Sequence, residues 1–463
     1  MNARNQVKFA LIGAGSVSFG PATLSDILTS PLLGQVPVTI HLMDIAPDAL
    51  DGVHQYCLAA AERAGRSGSV TVLATTDLTA AVDGADFVVA AIEKDRYHYW
   101  SMDFHIPRRY GFRQVYGENG GPGGMFHFLR NAGPMLDIAR AMEAGCPGAW
   151  LLNYTNPEAK LVEAIGRMTR VPVVGLCHGE QMGVDQLARF LGLPKERVDA
   201  RACGLNHFGW FTTVRDRETG EDLYPRLRER EREADWLSDW DEYALSRLMF
   251  RLYGLWPYPG ANHIGEYIAW SDGYLASALI QYFHDPLVDR PWETRRTPEF
   301  IYSFAQNPTA RPLFPENRPH VGDPGFLPYF PADGELRPSA EYGIRIAEAI
   351  AFDQPTHIGA VNVRNDGFVP GLLPGMAVEI PALVDGRGVH PESQPALPVA
   401  VAAMINTQGA IHDLLVQALA EGSRKKLLQA VLLDPTVSGY ANAVAMIDEM
   451  FRMQADILPP MEW

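Results

Sequence analysis

The chain has 463 residues, 47% hydrophobic and 20% charged, with a formal net charge of −16, which argues against nucleic acid or another polyanion as partner. No uncharged apolar run reaches about 18 residues, and Met1-Asn2-Ala3-Arg4-Asn5-Gln6 has no signal-type apolar core, so neither a membrane span nor a membrane partner is expected. Four cysteines, Cys57, Cys146, Cys177 and Cys203, are too sparse for a disulfide framework and point to a reducing cytoplasm.

Residues 8–12 read as a buried parallel strand, and Gly13-Ala14-Gly15-Ser16 opens a helix running to about residue 28. Residues 38–43 form the next expected strand, ending at Asp44, with further strands at 70–74 and 87–92 and a short helix at 78–82. A helix is expected over 126–144, disturbed at Gly133-Pro134, followed by strands at 150–153 and 173–176. Alternating strands and helices predict an α/β fold with a Rossmann-type, doubly wound parallel sheet over residues 1–200. The pattern then changes, and 201–463 is expected to form a C-terminal α+β domain packed closely on the first. Residues 216–253 are helical and irregular, rich in Arg and Glu. Residues 305–340 are Pro-rich and suit a long ordered loop or a subunit contact. Helices are expected at 340–352, 398–421 and 440–453, and strands at 358–363 and 378–381.

Gly13-x-Gly15 lies between a strand and a helix, where glycines let backbone N–H groups approach a pyrophosphate. The third glycine of that fingerprint is replaced by Ser18. Asp44 ends the second strand, where a carboxylate binds the ribose hydroxyls of NAD and repels a 2′-phosphate. The run Gly117-Glu118-Asn119-Gly120-Gly121-Pro122-Gly123-Gly124 allows backbone to approach substrate and cofactor, or forms a flexible loop. Asn153 and Asn156 end a strand on the same sheet edge; their amides suit sugar hydroxyls, or an Asx turn. Cys177 and His207 are a candidate metal pair, though a Cys/His pair also suits a thiol nucleophile with its base, and each residue alone suits a buried structural role. His263 and Glu266, three apart and followed by Tyr267, could share one helix face and supply a base across the domain cleft.

Taken together these motifs resemble glycoside hydrolase family 4, the NAD- and divalent-metal-dependent glycosidases whose fold is related to lactate and malate dehydrogenases. The resemblance spans almost the whole chain. It is carried by Ile12-Gly13-Ala14-Gly15-Ser16, Met43-Asp44-Ile45, Arg109-Tyr110-Gly111, Gly121-Pro122-Gly123-Gly124, Asn153-Tyr154-Thr155-Asn156-Pro157, Gly175-Leu176-Cys177-His178 and Asn206-His207-Phe208-Gly209-Trp210, with later matches at Glu266-Tyr267, Val361-Asn362-Val363, Val378-Glu379-Ile380-Pro381 and Leu433-Asp434-Pro435. It implies that Cys177 and His207 hold the metal, usually Mn2+, and that Gly13, Gly15, Ser16 and Asp44 bind NAD+. Asn156 would bind substrate hydroxyls, with Asn153 beside it. His178 stands where the family places or positions its leaving-group acid. The base belongs to the 263–267 segment, with Tyr267 the first choice before His263 and Glu266. The chain departs from a common family version at Gly117-Glu118-Asn119, where Gly-Asp-Thr is frequent. Its Cys177-His178 start is unlike the Cys-Asp or Cys-Asn of 6-phosphoglycoside members and resembles members acting on unphosphorylated α-glucosides, α-galactosides or α-uronides.

The implied reaction is hydride transfer from sugar C3 to NAD+, removal of the acidified C2 proton, elimination of the aglycone, addition of water, and return of the hydride. One of Arg96, Arg108, Arg109, Arg113, Arg130 or Arg364 could clamp an anionic sugar, while surface solubilisation or a subunit salt bridge is expected for most of them, and a neutral and an acidic sugar are equally expected. A homodimer or homotetramer is expected. The rival readings are an NAD-dependent sugar or hydroxy-acid dehydrogenase on the same fold, and a non-enzymatic NAD sensor.

Overall fold

The computed structural model describes residues 4–15, 19–234, 243–274, 336–339 and 341–463. Six strands form its parallel part: β1 (Val7–Ile12), β2 (Val38–Met43), β3 (Val70–Thr75), β4 (Phe87–Ala90), β5 (Trp150–Asn153) and β6 (Val173–Gly175). Their order is β3-β2-β1-β4-β5-β6, all parallel. That is the dinucleotide-binding order, with its crevice beyond the carboxyl ends of β1 and β4. Strands covered on both faces need apolar side chains on both, which is why Phe9, Leu11, Phe87, Val88 and Val89 are all buried. The cover comes from α1 (Phe19–Thr29), α2 (Pro47–Arg63), α3 (Leu78–Val82), α4 (Arg96–Arg109), α5 (Gly121–Gly145), α6 (Glu158–Met168) and α7 (Gly179–Leu191).

The sheet does not stop at β6. It continues through β10 (Thr356–Arg364), β11 (Ala377–Asp385), β7 (Val198–Leu205), β8 (Phe208–Asp216) and β9 (Pro257–Tyr258), with β12 (Gly388–Pro391) paired to β11. These pairings are antiparallel. β10 meets β6 at Asn362 opposite Gly175, and β11 meets β7 at Glu379 opposite Gly204. The two halves of the chain therefore share one twelve-stranded sheet. Around the antiparallel part lie α8 (Tyr224–Glu233), α9 (Ala244–Tyr253), α10 (Ala261–Gly265) and α11 (Gly343–Phe352), and α12 (Val399–Glu421), α13 (Arg424–Leu433) and α14 (Tyr440–Met453) follow.

Several expectations shift. The helix expected at 126–144 begins at Gly121, so the end of the glycine run is its first turn, and Pro134 sits inside it without ending it. The hairpin β7–β8, α2, α4, α6 and α7 were not foreseen. The Pro-rich stretch expected over 305–340 lies outside the described residues except for 336–339. By length and composition α12 is apolar enough to cross a membrane, although His412 and Asp413 lie within it. Its Ile411, Leu415 and Val416 are nonetheless buried in a cluster with Leu129, Leu427 and Phe451. All four cysteines are free thiols.

Candidate active site

At the carboxyl end of β1 the chain turns at Gly13, whose φ of +84° favours glycine and whose Cβ would strike the Ala91 carbonyl. Gly13 and Ala14 donate their N–H groups to the Met43 carbonyl at 2.9 and 3.0 Å. Asp44 accepts from the N–H of Gly15 at 2.8 Å and from that of Ala46 at 2.9 Å. The expected ribose carboxylate thus also ties the glycine turn to the end of β2. Ser16 lies outside the described residues.

Further along the same edge, Cys177 follows β6 and precedes α7. Its sulfur accepts the Gly179 N–H at 3.3 Å. His207 reaches it from the other part of the chain. Leu205 pairs with Phe208, so Asn206 and His207 are the two-residue tip of the β7–β8 hairpin. His207 there has φ +63°, a conformation costing a non-glycine residue on the order of 1–3 kcal/mol. The hairpin sets His207 Nε2 3.5 Å from Cys177 Sγ. A metal about 2.3 Å from sulfur and about 2.1 Å from nitrogen, at a tetrahedral angle, would hold them about 3.6 Å apart. The pair therefore fits a divalent ion.

Electrostatics agree with that fit. Burial, then His263, His178 and Lys160, push His207 well below its ordinary value, leaving a neutral ring with a free lone pair. Burial, then Glu158 and Glu379, push the Cys177 thiol well above its ordinary value. A bound cation would offset that penalty and favour the thiolate. Glu158 and Glu379 share the Asn362 amide at 2.6 and 2.9 Å, and Asn206 donates to Glu379 at 3.0 Å.

His263, on α10, packs its ring 4.0 Å from the His207 ring and edge-on to Tyr116. Burial pushes it down to about 4, so it is a neutral imidazole. Glu118, His207, His263 and Glu266 offer ligand atoms all within 4.8 Å of one another. Glu118 is otherwise engaged, and so is one of the two Glu266 oxygens, while Glu266 Oε1 makes no hydrogen bond among the described residues. Glu118 pairs with Arg96 at 2.7 Å, and Glu266 Oε2 accepts the backbone N–H groups of Glu118, Asn119 and Gly120 at 2.8, 2.7 and 2.8 Å. Glu266 is a brace for the glycine run, which sequence reasoning missed.

Tyr267 stands differently from its neighbour. Its ring stacks on Phe208 and its hydroxyl reaches the Asn206 carbonyl at 3.4 Å, while burial pushes the phenol well above its ordinary value. Asn153 is fully buried, and both ends of its amide bond the Thr155 backbone, at 3.1 and 3.0 Å, closing the Asx turn that was the alternative expectation for this segment. Asn156 is half-buried, with its carbonyl accepting from Asn131 at 2.7 Å. His178 is exposed; its Nδ1 lies 3.4 Å from Glu341, whose hydrogen bond raises the imidazole above its ordinary value. Five of the six arginines have structural partners elsewhere: Arg108 with Gln114, Arg109 with Glu449, Arg113 with Asp272, Arg130 with Asp103 and Arg364 with Gly166. Only Arg96, among the six, contacts the cluster.

Two sequence profiles match the chain: "Family 4 glycosyl hydrolase" over residues 8–193 and "Family 4 glycosyl hydrolase C-terminal domain" over 202–437. The chain is 32% identical to an α-glucosidase of Erwinia rhapontici, covering 96% of this chain and 98% of that one. It is 29% identical to an α-galactosidase of Bacillus subtilis, covering 98% and 99%. Among solved structures it is similar to a 6-phospho-α-glucosidase from gut microorganisms in complex with NAD and Mn2+, with TM-score 0.76 and 24% identity over 99% of this chain and 100% of that one.

Proposed function

The chain belongs to family 4 of the glycosyl hydrolases, and we propose that it cleaves an unphosphorylated α-hexoside in a redox-neutral cycle using NAD+ and a divalent cation such as Mn2+. The observation that carries this reading is the 3.5 Å approach of Cys177 to His207 with the His263 ring against it, on the sheet edge that carries the glycine turn. Bound NAD+ would supply a hydride acceptor for a sugar carbinol, and the cation a Lewis acid for its oxygens.

The protein's own groups take the remaining roles. Cys177 and His207 hold the cation. Gly13, Gly15 and Asp44 hold the dinucleotide, and Asn156 takes sugar hydroxyls. His263 receives the C2 proton, because it is neutral and lies in ring contact with a cation ligand. Tyr267 becomes the second candidate, because its hydroxyl is turned to the Asn206 carbonyl. His178, held toward its protonated form by Glu341, gives its proton to the departing aglycone.

The Cys177-His178 start supports an unphosphorylated sugar, and the likeness to an α-glucosidase and an α-galactosidase supports a neutral one. The test is a panel of aryl α-glucosides, α-galactosides and α-uronides assayed with NAD+, Mn2+ and a thiol reductant in D2O. Hydrolysis of a neutral member with deuterium at product C2 and no accumulation of NADH is expected. Preference for a uronide would replace the substrate class. Stoichiometric NADH would favour the dehydrogenase reading, and product without C2 deuterium would remove the elimination route.

A further inference from the structure

We infer that Asn119 is a positioning residue for the cation site, its side-chain amide setting the tautomer and ring orientation of His207. The inference rests on the Cys177–His207 reading above. Asn119 and His207 are buried, at 2% and 4% exposure, and Asn119 Nδ2 lies 3.0 Å from His207 Nδ1. The contact is to the ring nitrogen other than the Nε2 that approaches Cys177.

The backbone holding this amide is tied on every side. The Asn119 N–H donates to Glu266 Oε2, as do those of Glu118 and Gly120, and the Asn119 carbonyl accepts from the buried Lys160 ammonium. A Cβ on Gly120 would meet the Glu266 carbonyl oxygen at 2.6 Å, and one on Gly124 would meet the Asn119 carbonyl carbon at 2.5 Å. The segment is packed too closely to swing, so the amide is delivered to one place. Its remaining freedom is a half-turn that exchanges Nδ2 with Oδ1.

That freedom matches what a histidine ligand requires. With Nδ2 toward the ring, Nδ1 accepts and the ring proton sits on Nε2, facing sulfur. Nε2 can bind a cation only without that proton, and a neutral ring then carries its proton on Nδ1. After the half-turn, Oδ1 accepts the Nδ1 proton, and the same residue holds the ligating tautomer. A carboxylate at this position would accept only and would favour the ligating tautomer throughout. A hydrocarbon would favour neither and would leave a buried ring nitrogen unpaired.

The experiment strips the full-length protein with chelator and titrates Mn2+, reading free ion by its paramagnetic resonance signal. Asn119→Leu is expected to weaken Mn2+ binding roughly 10–100-fold. Asn119→Asp is expected to bind at least as tightly as the unmodified protein. Thermal unfolding of the metal-free forms checks that each variant is folded; should Asn119→Leu not fold, Asn119→Ala takes its place with the same expectation. Equal weakening in the apolar and Asp variants would overturn the inference, since a mere brace for the loop would suffer both alike. Unchanged affinity in the apolar variant would overturn it as well. Cys177→Ser is measured alongside: if it leaves Mn2+ affinity intact, the cation site itself is misread, whereas weakening by Cys177→Ser alone removes only the role of Asn119.

Discussion

Glu93 and His127 offer the sharpest energetic test of the loop that frames the site. Glu93 stands just past β4, and His127 rises from α5, with Nε2 2.7 Å from the Glu93 carboxylate and Nδ1 2.8 Å from the Glu118 carbonyl. Both ring nitrogens face acceptors, so both donate, and His127 is an imidazolium. Burial alone would raise Glu93, but His127, then Arg130 and Arg96, pull it down from 4.5 to about 2. Burial alone would lower His127, and Glu93 raises it above its ordinary value. The sign follows from both ends. The depressed carboxylate stabilises the fold above its unfolded value of about 4.5, a contribution lost as pH falls toward 2. The raised imidazolium stabilises it below about 6.5, a contribution lost as pH rises through its folded value. The pair is therefore worth most between about pH 4.5 and 6.5; because Glu93 is exposed and Arg130 and Arg96 share in holding its charge, solvent screening leaves the pair about 1–2 kcal/mol. Glu93→Gln should lose about that much in urea unfolding at pH 5.5 and should show a flatter acid limb. The double variant with His127→Gln should lose less than the sum of the two single variants. A loss below about 0.5 kcal/mol at pH 5.5, or full additivity, would refute the ion pair.

Three further outcomes test the site itself. Cys177→Ser should lose most turnover and most of its response to added Mn2+, and chelated enzyme should recover with Mn2+; full activity after exhaustive chelation would remove the metal from the reaction. Asp44→Ala should narrow the preference for NAD+ over NADP+, measured as the ratio of their dissociation constants; because Asp44 also ties down Gly15, a fall in NAD+ affinity is expected in the same variant. His263→Ala should suppress solvent deuterium at product C2 more strongly than Tyr267→Phe; the reverse ranking would return the base to Tyr267.

What the chain discloses depends on whether a group's partner is a side chain or backbone. Apolar β1, followed by glycine, and apolar β4 are legible because burial on both faces permits little else, and Asp44 is legible as the carboxylate that ends β2. Cys177 and His207 are legible as ligand types, and their family spacing led to a pair that the fold sets 3.5 Å apart. The hairpin that makes the approach possible was not legible: in β7, Ala202 through Leu205 are all buried, so the alternation that marks a half-exposed strand is missing. The hydrogen-bond partners of Asn153 and Glu266 were hidden for a different reason. An amide at a sheet edge and a carboxylate beside a histidine look free in sequence, yet the amide is spent on Thr155 and one oxygen of the carboxylate on three successive N–H groups. Every residue but proline offers an N–H, so such partners leave no trace in residue type. Asn119 shows the converse. It stood out only as a departure from Gly-Asp-Thr, and its meaning came from the His207 nitrogen it faces. The chemistry of this site is thus set less by which polar residues are present than by which of their lone pairs the backbone has left unspent.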